Sequence, residues 1–83
     1  MASVKWSGAA LLNLESLDPI IRERVLMKVS WLADNFSTIT PEPLHRERRG
    51  LYKLRVGDYR AVYAVRADSI IIEEVGHRRD IYR

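Results

Sequence analysis

The chain of 83 residues contains no cysteine, which excludes disulfides, thiolate catalysis and cysteine-based zinc or iron–sulfur sites. A small secreted scaffold normally needs such staples, so a reducing cytoplasm is the expected location. Long apolar runs are also missing. The one near the N-terminus stops after Ala9 to Leu12, too short for a signal-peptide core and far below the roughly 20 residues of a membrane span. We therefore expect neither export nor anchoring, and no membrane partner. No His/Asp/Glu spacing resembles a metal site, no glycine-rich phosphate loop occurs, and Ser7 and Ser69 lack a visible base that would activate either as a nucleophile. No metal and no other cofactor is expected. Internal repeats, low-complexity tracts and linkers are absent, so residues 1–83 are expected to form one domain, too small for a deep enclosed cofactor pocket.

What is present is uneven charge. Residues 1–44 carry four basic side chains against five acidic ones, whereas residues 45–83 carry ten basic against six acidic. Nine of those ten are arginine, the side chain suited to bidentate phosphate contact and to stacking on bases. The expected ligand class is RNA, DNA or a strongly acidic protein.

The hydrophobic period divides the chain. After a short extended piece, Ser3 to Trp6, Ser7 can cap a helix whose Leu11, Leu14 and Leu17 form an apolar stripe. Asp18-Pro19 is a helix start, and Ile21, Val25, Val29, Leu32 and Phe36 then mark one face of a second helix of about 17 residues. Arg22, Glu23, Lys28 and Asp34 lie off that stripe. Residues 37–49, with Pro41 and Pro43, are predicted to be a loop. From Leu51 the period becomes two. Leu51 to Val56, Tyr59 to Arg66 and Ser69 to Gly76 are predicted strands joined by Gly57-Asp58 and Ala67-Asp68, with glycine first in a type II′ turn. The expected fold is α+β, with an N-terminal short strand and a two-helix hairpin packed on an antiparallel meander, followed by a basic C-terminal tail.

Strand alternation sorts the polar residues. Lys53 and Arg55 share one face, with Tyr52, Leu54 and Val56 on the other; Arg60, Val62, Ala64 and Arg66 oppose Tyr59, Ala61, Tyr63 and Val65. The tight turn sets Arg55 near Arg60, so Lys53, Arg55 and Arg60 form a cationic cluster that needs an anion or a carboxylate to offset its repulsion. The plainer alternative is a solvated face with salt bridges to Glu73 or Glu74. After Gly76, which lets the chain leave the sheet, His77, Arg78, Arg79, Tyr82 and Arg83 follow closely. Histidine can exchange a proton near neutral pH, arginine can stabilise a phosphorane dianion, and tyrosine can stack on a base or carry a proton. The alternative for this segment is a disordered basic tail.

The stretch Leu51-Tyr52-Lys53-Leu54-Arg55-Val56-Gly57-Asp58-Tyr59-Arg60-Ala61-Val62-Tyr63, followed by Val75-Gly76-His77-Arg78-Arg79-Asp80-Ile81-Tyr82, closely resembles the RelE/ParE superfamily of type II toxin–antitoxin systems. Val4-Lys5-Trp6 and Leu17-Asp18-Pro19 are similar to it too, so the resemblance covers nearly the whole chain. It implies a RelE-like toxin that enters the ribosomal A site and cleaves mRNA without metal, by attack of a ribose 2′-hydroxyl on the adjacent phosphate. It also implies a cytoplasmic protein neutralised by a cognate antitoxin, in a possible hetero-oligomer. The residues matched to the family's catalytic positions are Lys53, Arg60, Arg78 and Tyr82, with His77 where some relatives have lysine. Lys53, Arg55, Arg60, Arg79 and Arg83 are the expected RNA contacts. Arg55 stands where the best-known arrangement has lysine; a guanidinium is a poor base, so charge stabilisation is its expected part. Two alternatives come with the same scaffold: a ParE-like, non-enzymatic gyrase inhibitor, and a catalytically inactive RNA-binding homologue. Retention of Arg60, Arg78 and Tyr82 together favours the nuclease.

Overall fold

The computed structural model describes residues 2–45 and 49–81. In chain order the elements are β1 (Ser3–Trp6), α1 (Gly8–Ser16), α2 (Pro19–Asn35), a 3₁₀ turn (Phe36–Thr38), β2 (Glu42–Pro43), β3 (Tyr52–Val56), β4 (Tyr59–Arg66), β5 (Ser69–His77) and α3 (Arg78–Ile81). The fold is α+β. Among the described residues no helix is long and apolar enough to cross a membrane.

Both helix starts are capped as the sequence predicts. Ser7 Oγ accepts the Ala10 N–H at 3.0 Å, and Asp18 Oδ1 accepts the Ile20 N–H at 3.0 Å with Pro19 opening α2. Arg22 joins the two helices: its Nε donates to the Leu14 carbonyl, and its Nη2 to those of Glu15 and Leu17. The Leu14 carbonyl also accepts the Leu17 N–H at 3.2 Å, so the guanidinium and the Leu17 backbone together cap the C-terminus of α1.

The sheet has five strands in the order β1-β5-β4-β3-β2, with β1 parallel to β5 and the remaining pairs antiparallel. The predicted meander is therefore its centre, with β1 added on one edge. Gly57 has φ +60° and opens the β3–β4 turn, as a type II′ turn requires. The segment predicted to be loop includes β2, whose Glu42 pairs with Lys53. Pro43 is tolerated there because the strand lies at the sheet edge, where a missing N–H breaks no ladder.

One sheet face carries the main core. Leu54, Ala61, Tyr63, Ile70, Ile72 and Val75 pack against Ala10, Leu14, Val25, Val29, Leu32 and Ala33 of the helices. The predicted α1 stripe needs correction: Leu11 is 46% exposed, and Ala10 is buried in its place. Two successive steps of three residues drift around the helix, whereas Ala10, Leu14 and Leu17 at steps of four and three stay on one face.

A bulge keeps Val75 in this core. Val62 pairs with Glu74, but Tyr63 pairs with Ile72, leaving Glu73 as the extra residue. Without it, Ile72 and Val75 would point to opposite faces. The freed backbone groups are taken up by α1: Asn13 Oδ1 accepts the Val75 N–H at 3.0 Å, and Ser7 Oγ donates to the Glu73 carbonyl at 2.9 Å.

Candidate functional site

The face away from the two long helices carries the candidate site. Direct pairing of Lys53 with Val62 and of Arg55 with Arg60 places all four side chains there. A second small core of Leu44, Val62 and Ile81, with Leu51 packed on it, covers part of this face. The rest is polar and cationic.

Arg60 is only 6% exposed. Its Nη1 donates to the Gly57 and Tyr59 carbonyls, each at 2.8 Å, while its buried Nε has no hydrogen-bond partner. Among the described residues no carboxylate forms an ion pair with it. A buried cation left this way is costly unless an anion completes it. Both turn carbonyls are held through Nη1, so the guanidinium is anchored at one nitrogen while Nε stays buried and unpaired.

Lys53 and Arg55 do meet a carboxylate. Glu42 accepts from Arg55 Nε at 2.9 and 3.1 Å and from Nη2 at 2.7 Å, and Lys53 Nζ lies 3.7 Å from the same carboxylate. The counter-charge is thus Glu42 rather than Glu73 or Glu74. Hydrogen bonding to Arg55 holds the Glu42 carboxyl below its usual 4.5, against the smaller opposing effect of burial, with the charges of Arg55 and Lys53 adding to the lowering. Glu42 is ionised at neutral pH. Glu42 is the functional candidate that the sequence reading missed, because its segment carries two prolines and no strand period.

The C-terminal residues fall into separate places. Gly76 does not release the chain, since it stays in β5 opposite Arg60, and the strand runs through His77. Its missing side chain makes room for Ile81, whose Cδ1 would lie 3.4 Å from an added Cβ. The chain then folds back as α3, with Ile81 buried, so residues 78–81 are an ordered helical turn. The Arg78 N–H donates to the Asp58 carbonyl at 2.8 Å, which sets exposed Arg78 beside the turn that also holds Arg60. His77 pairs with Tyr59 and packs edge-on against its ring, 5.4 Å between centroids. Strand alternation puts His77 on the face opposite Arg60, at the sheet's end. Its Nδ1 accepts the Arg79 N–H at 3.2 Å, which leaves Nε2 as the protonated nitrogen of the neutral ring. Arg79 is exposed on α3. Tyr82 and Arg83 lie outside the described residues.

The arrangement therefore brings together Lys53, Arg55 and Arg60 with Glu42, sets Arg78 at the neighbouring turn, and leaves His77 at the rim. Burial, with Tyr52 and Glu42 nearby, pushes the Tyr63 hydroxyl up to about 12.

Comparison with known proteins agrees over almost the full length. The family model described as the ParE toxin of the type II toxin–antitoxin system parDE matches residues 4–82. Toxin RelG of Mycobacterium tuberculosis is 32% identical, over 98% of this chain and 95% of that protein. The toxin–antitoxin complex RelBE2 of the same organism is 28% identical, covering 93% of this chain and 98% of the other, with a TM-score of 0.80. The isolated Escherichia coli RelE toxin, 20% identical, shares the fold with a TM-score of 0.76 over 93% of this chain and 84% of its own.

Proposed function

This chain belongs to the ParE toxin family, within the RelE/ParE superfamily of type II toxins, and from that premise we propose that it is a ribosome-dependent mRNA endoribonuclease. The observation that carries this reading is one sheet face holding a buried, incompletely partnered arginine beside two cations anchored by an ionised carboxylate. Phosphodiester cleavage by a neighbouring hydroxyl needs a base, stabilisation of a phosphorane, and a proton for the leaving oxygen.

Glu42 supplies the base. Its carboxylate takes the proton of the ribose 2′-hydroxyl, the 2′-oxygen bonds to the adjacent phosphorus, and the bond from phosphorus to the 5′-oxygen breaks. The products are a 2′,3′-cyclic phosphate and a free 5′-hydroxyl. Arg60 stabilises the phosphorane charge, assisted by Lys53. Arg55 holds Glu42 in position, and Arg78 and Arg79 contact flanking phosphates. The leaving oxygen takes its proton from the C-terminal segment, where His77 and Tyr82 are the candidates, Arg78 adds charge stabilisation, and Arg83 extends the RNA track. The cognate partner is an antitoxin, and the solved structures that resemble this chain include toxin–antitoxin complexes.

A second reading has one specific support, the ParE description of the matching family model. In it the same protein is a non-enzymatic inhibitor of gyrase. Induced expression separates the two. Loss of protein synthesis before any change in plasmid supercoiling supports the nuclease; relaxed or cleaved plasmid with intact protein synthesis supports the inhibitor.

A further inference from the structure

Helix α3 is four residues long, too short to hold itself in water, so contacts outside the helix fix its place. Ile81 is buried with Leu44 and Val62 in the second core, the Arg78 N–H donates to the Asp58 carbonyl at 2.8 Å, and the Arg79 N–H donates to His77 Nδ1 at 3.2 Å. The last of these contacts is an N-cap. His77 directly precedes the helix, and its side chain accepts from the second helical residue, a part that serine, threonine, asparagine and aspartate usually fill.

The same ring reaches the turn that holds Arg60. His77 lies opposite Tyr59 in the β4–β5 ladder and packs edge-on against its ring. The Tyr59 carbonyl is one of the two that accept from Arg60 Nη1, and Asp58, whose carbonyl takes the Arg78 N–H, belongs to the same turn. The half-buried imidazole therefore braces the turn that carries Arg60 against the helix that carries Arg78. Its own place is on the other face of the sheet from Arg60, because neighbouring strand positions alternate.

We infer that His77 is a positioning residue for the cleavage reaction, one that fixes Arg78 relative to Arg60 through its neutral Nδ1, and that it is not the proton donor. This rests on the endoribonuclease reading given above. The two roles need opposite protonation states. A donor acts as imidazolium, whereas a cap needs the Nδ1 lone pair, which protonation removes. Protonation also sets a third cation beside Arg78 and Arg79. The remaining ionisable groups on the elements around the ring are Tyr59 in β4, Asp58 in the turn, Asp80 in α3, and Glu15 in α1, which packs on β5.

The test measures message cleavage in a reconstituted translation reaction for the wild type, His77→Asn and His77→Phe, with folding checked by thermal melting. Asparagine offers an oxygen in place of Nδ1, and phenylalanine keeps a ring against Tyr59 but accepts nothing. The expected kcat is within about threefold of the wild type for His77→Asn and about tenfold to a hundredfold lower for His77→Phe, with KM little changed, the loss that follows a displaced catalytic contact. From about pH 7.5 to about pH 6, where imidazoles take up a proton, the ratio of wild-type to His77→Asn cleavage should fall, because the wild type alone loses its cap. An equal loss in both folded variants, or a ratio that rises as the pH falls, assigns proton donation to His77 and overturns the inference. Full cleavage by His77→Phe overturns it as well, since Nδ1 then positions nothing. Should His77→Phe melt early, the pH dependence of the ratio still decides. Absence of cleavage by folded wild type contradicts the endoribonuclease reading instead, and the positioning role falls with it.

Discussion

Arg55 and Arg60 face each other across the β3–β4 hairpin, yet their charges are handled in opposite ways. Arg55 is exposed and clamped by Glu42 at 2.7 Å, whereas Arg60 is buried, bonded through Nη1 to backbone carbonyls, with Nε left unpartnered. Two like charges in cross-strand register repel. The placement costs stability.

Arg60→Met tests that cost. The variant keeps the length of the side chain and removes the buried charge, so folding should be unchanged or more favourable by on the order of 1 kcal/mol, measured by urea denaturation. RNA cleavage should fall roughly 100 to 1,000-fold, the usual loss when one preorganised donor to a developing charge is removed. A clear loss of stability together with full activity would mean that Arg60 is a structural residue.

Glu42→Gln should separate binding from chemistry. At neutral pH it removes the negative charge between Lys53 and Arg55, so a short single-stranded RNA should bind more tightly and with a steeper dependence on salt. Cleavage should nevertheless drop, because the amide takes no proton. Equal cleavage by the variant assigns the base elsewhere.

The same residue sets a pH dependence. The folded-state value of Glu42 is lowered relative to the ordinary 4.5, so its ion pairs contribute stability that is fully present above about pH 4.5. That contribution is lost as the pH falls through the lower folded-state value. Between neutral pH and pH 3, the wild type should therefore lose more stability than Glu42→Gln. Parallel acid-denaturation curves for the two proteins would show that the Arg55 clamp contributes nothing.

Two positions test how the scaffold is held. Asn13→Ala leaves the Val75 N–H without its acceptor, and a buried unsatisfied donor costs about 1 to 3 kcal/mol. Ala67 sits at φ +53° in the exposed β4–β5 turn, where a side chain is strained and glycine is not. Ala67→Gly should raise stability by a net of up to about 1 kcal/mol, the relief exceeding the added freedom of the unfolded chain. Thermal melts of both variants check the two signs.

The helix caps, the α2 stripe, the three long strands and the shared face of Lys53, Arg55 and Arg60 were legible because each rests on local chemistry or on a period of two or about four. What escaped depends on contacts between distant segments. The parallel pairing of β1 with β5 and the bulge at Glu73 have no local signal, since Ile71-Ile72-Glu73-Glu74 reads as uninterrupted strand. Glu42 escaped because a two-residue edge strand between prolines has no period to detect. The burial of Arg60 could not be read from its type, nor could the return of Ile81 onto Gly76, by which the start of the basic tail covers the second core.

The central claim, that the Glu42 and Arg60 face of this sheet cuts mRNA on the ribosome, is tested most directly by mapping 5′ ends in a reconstituted translation reaction. Purified wild type should produce discrete new ends carrying a 5′-hydroxyl within the message at the ribosomal A site, upstream fragments ending in a cyclic phosphate, and no such ends with Arg60→Met or Glu42→Gln. Intact message in the presence of folded wild-type protein, or identical cleavage by both variants, would contradict it.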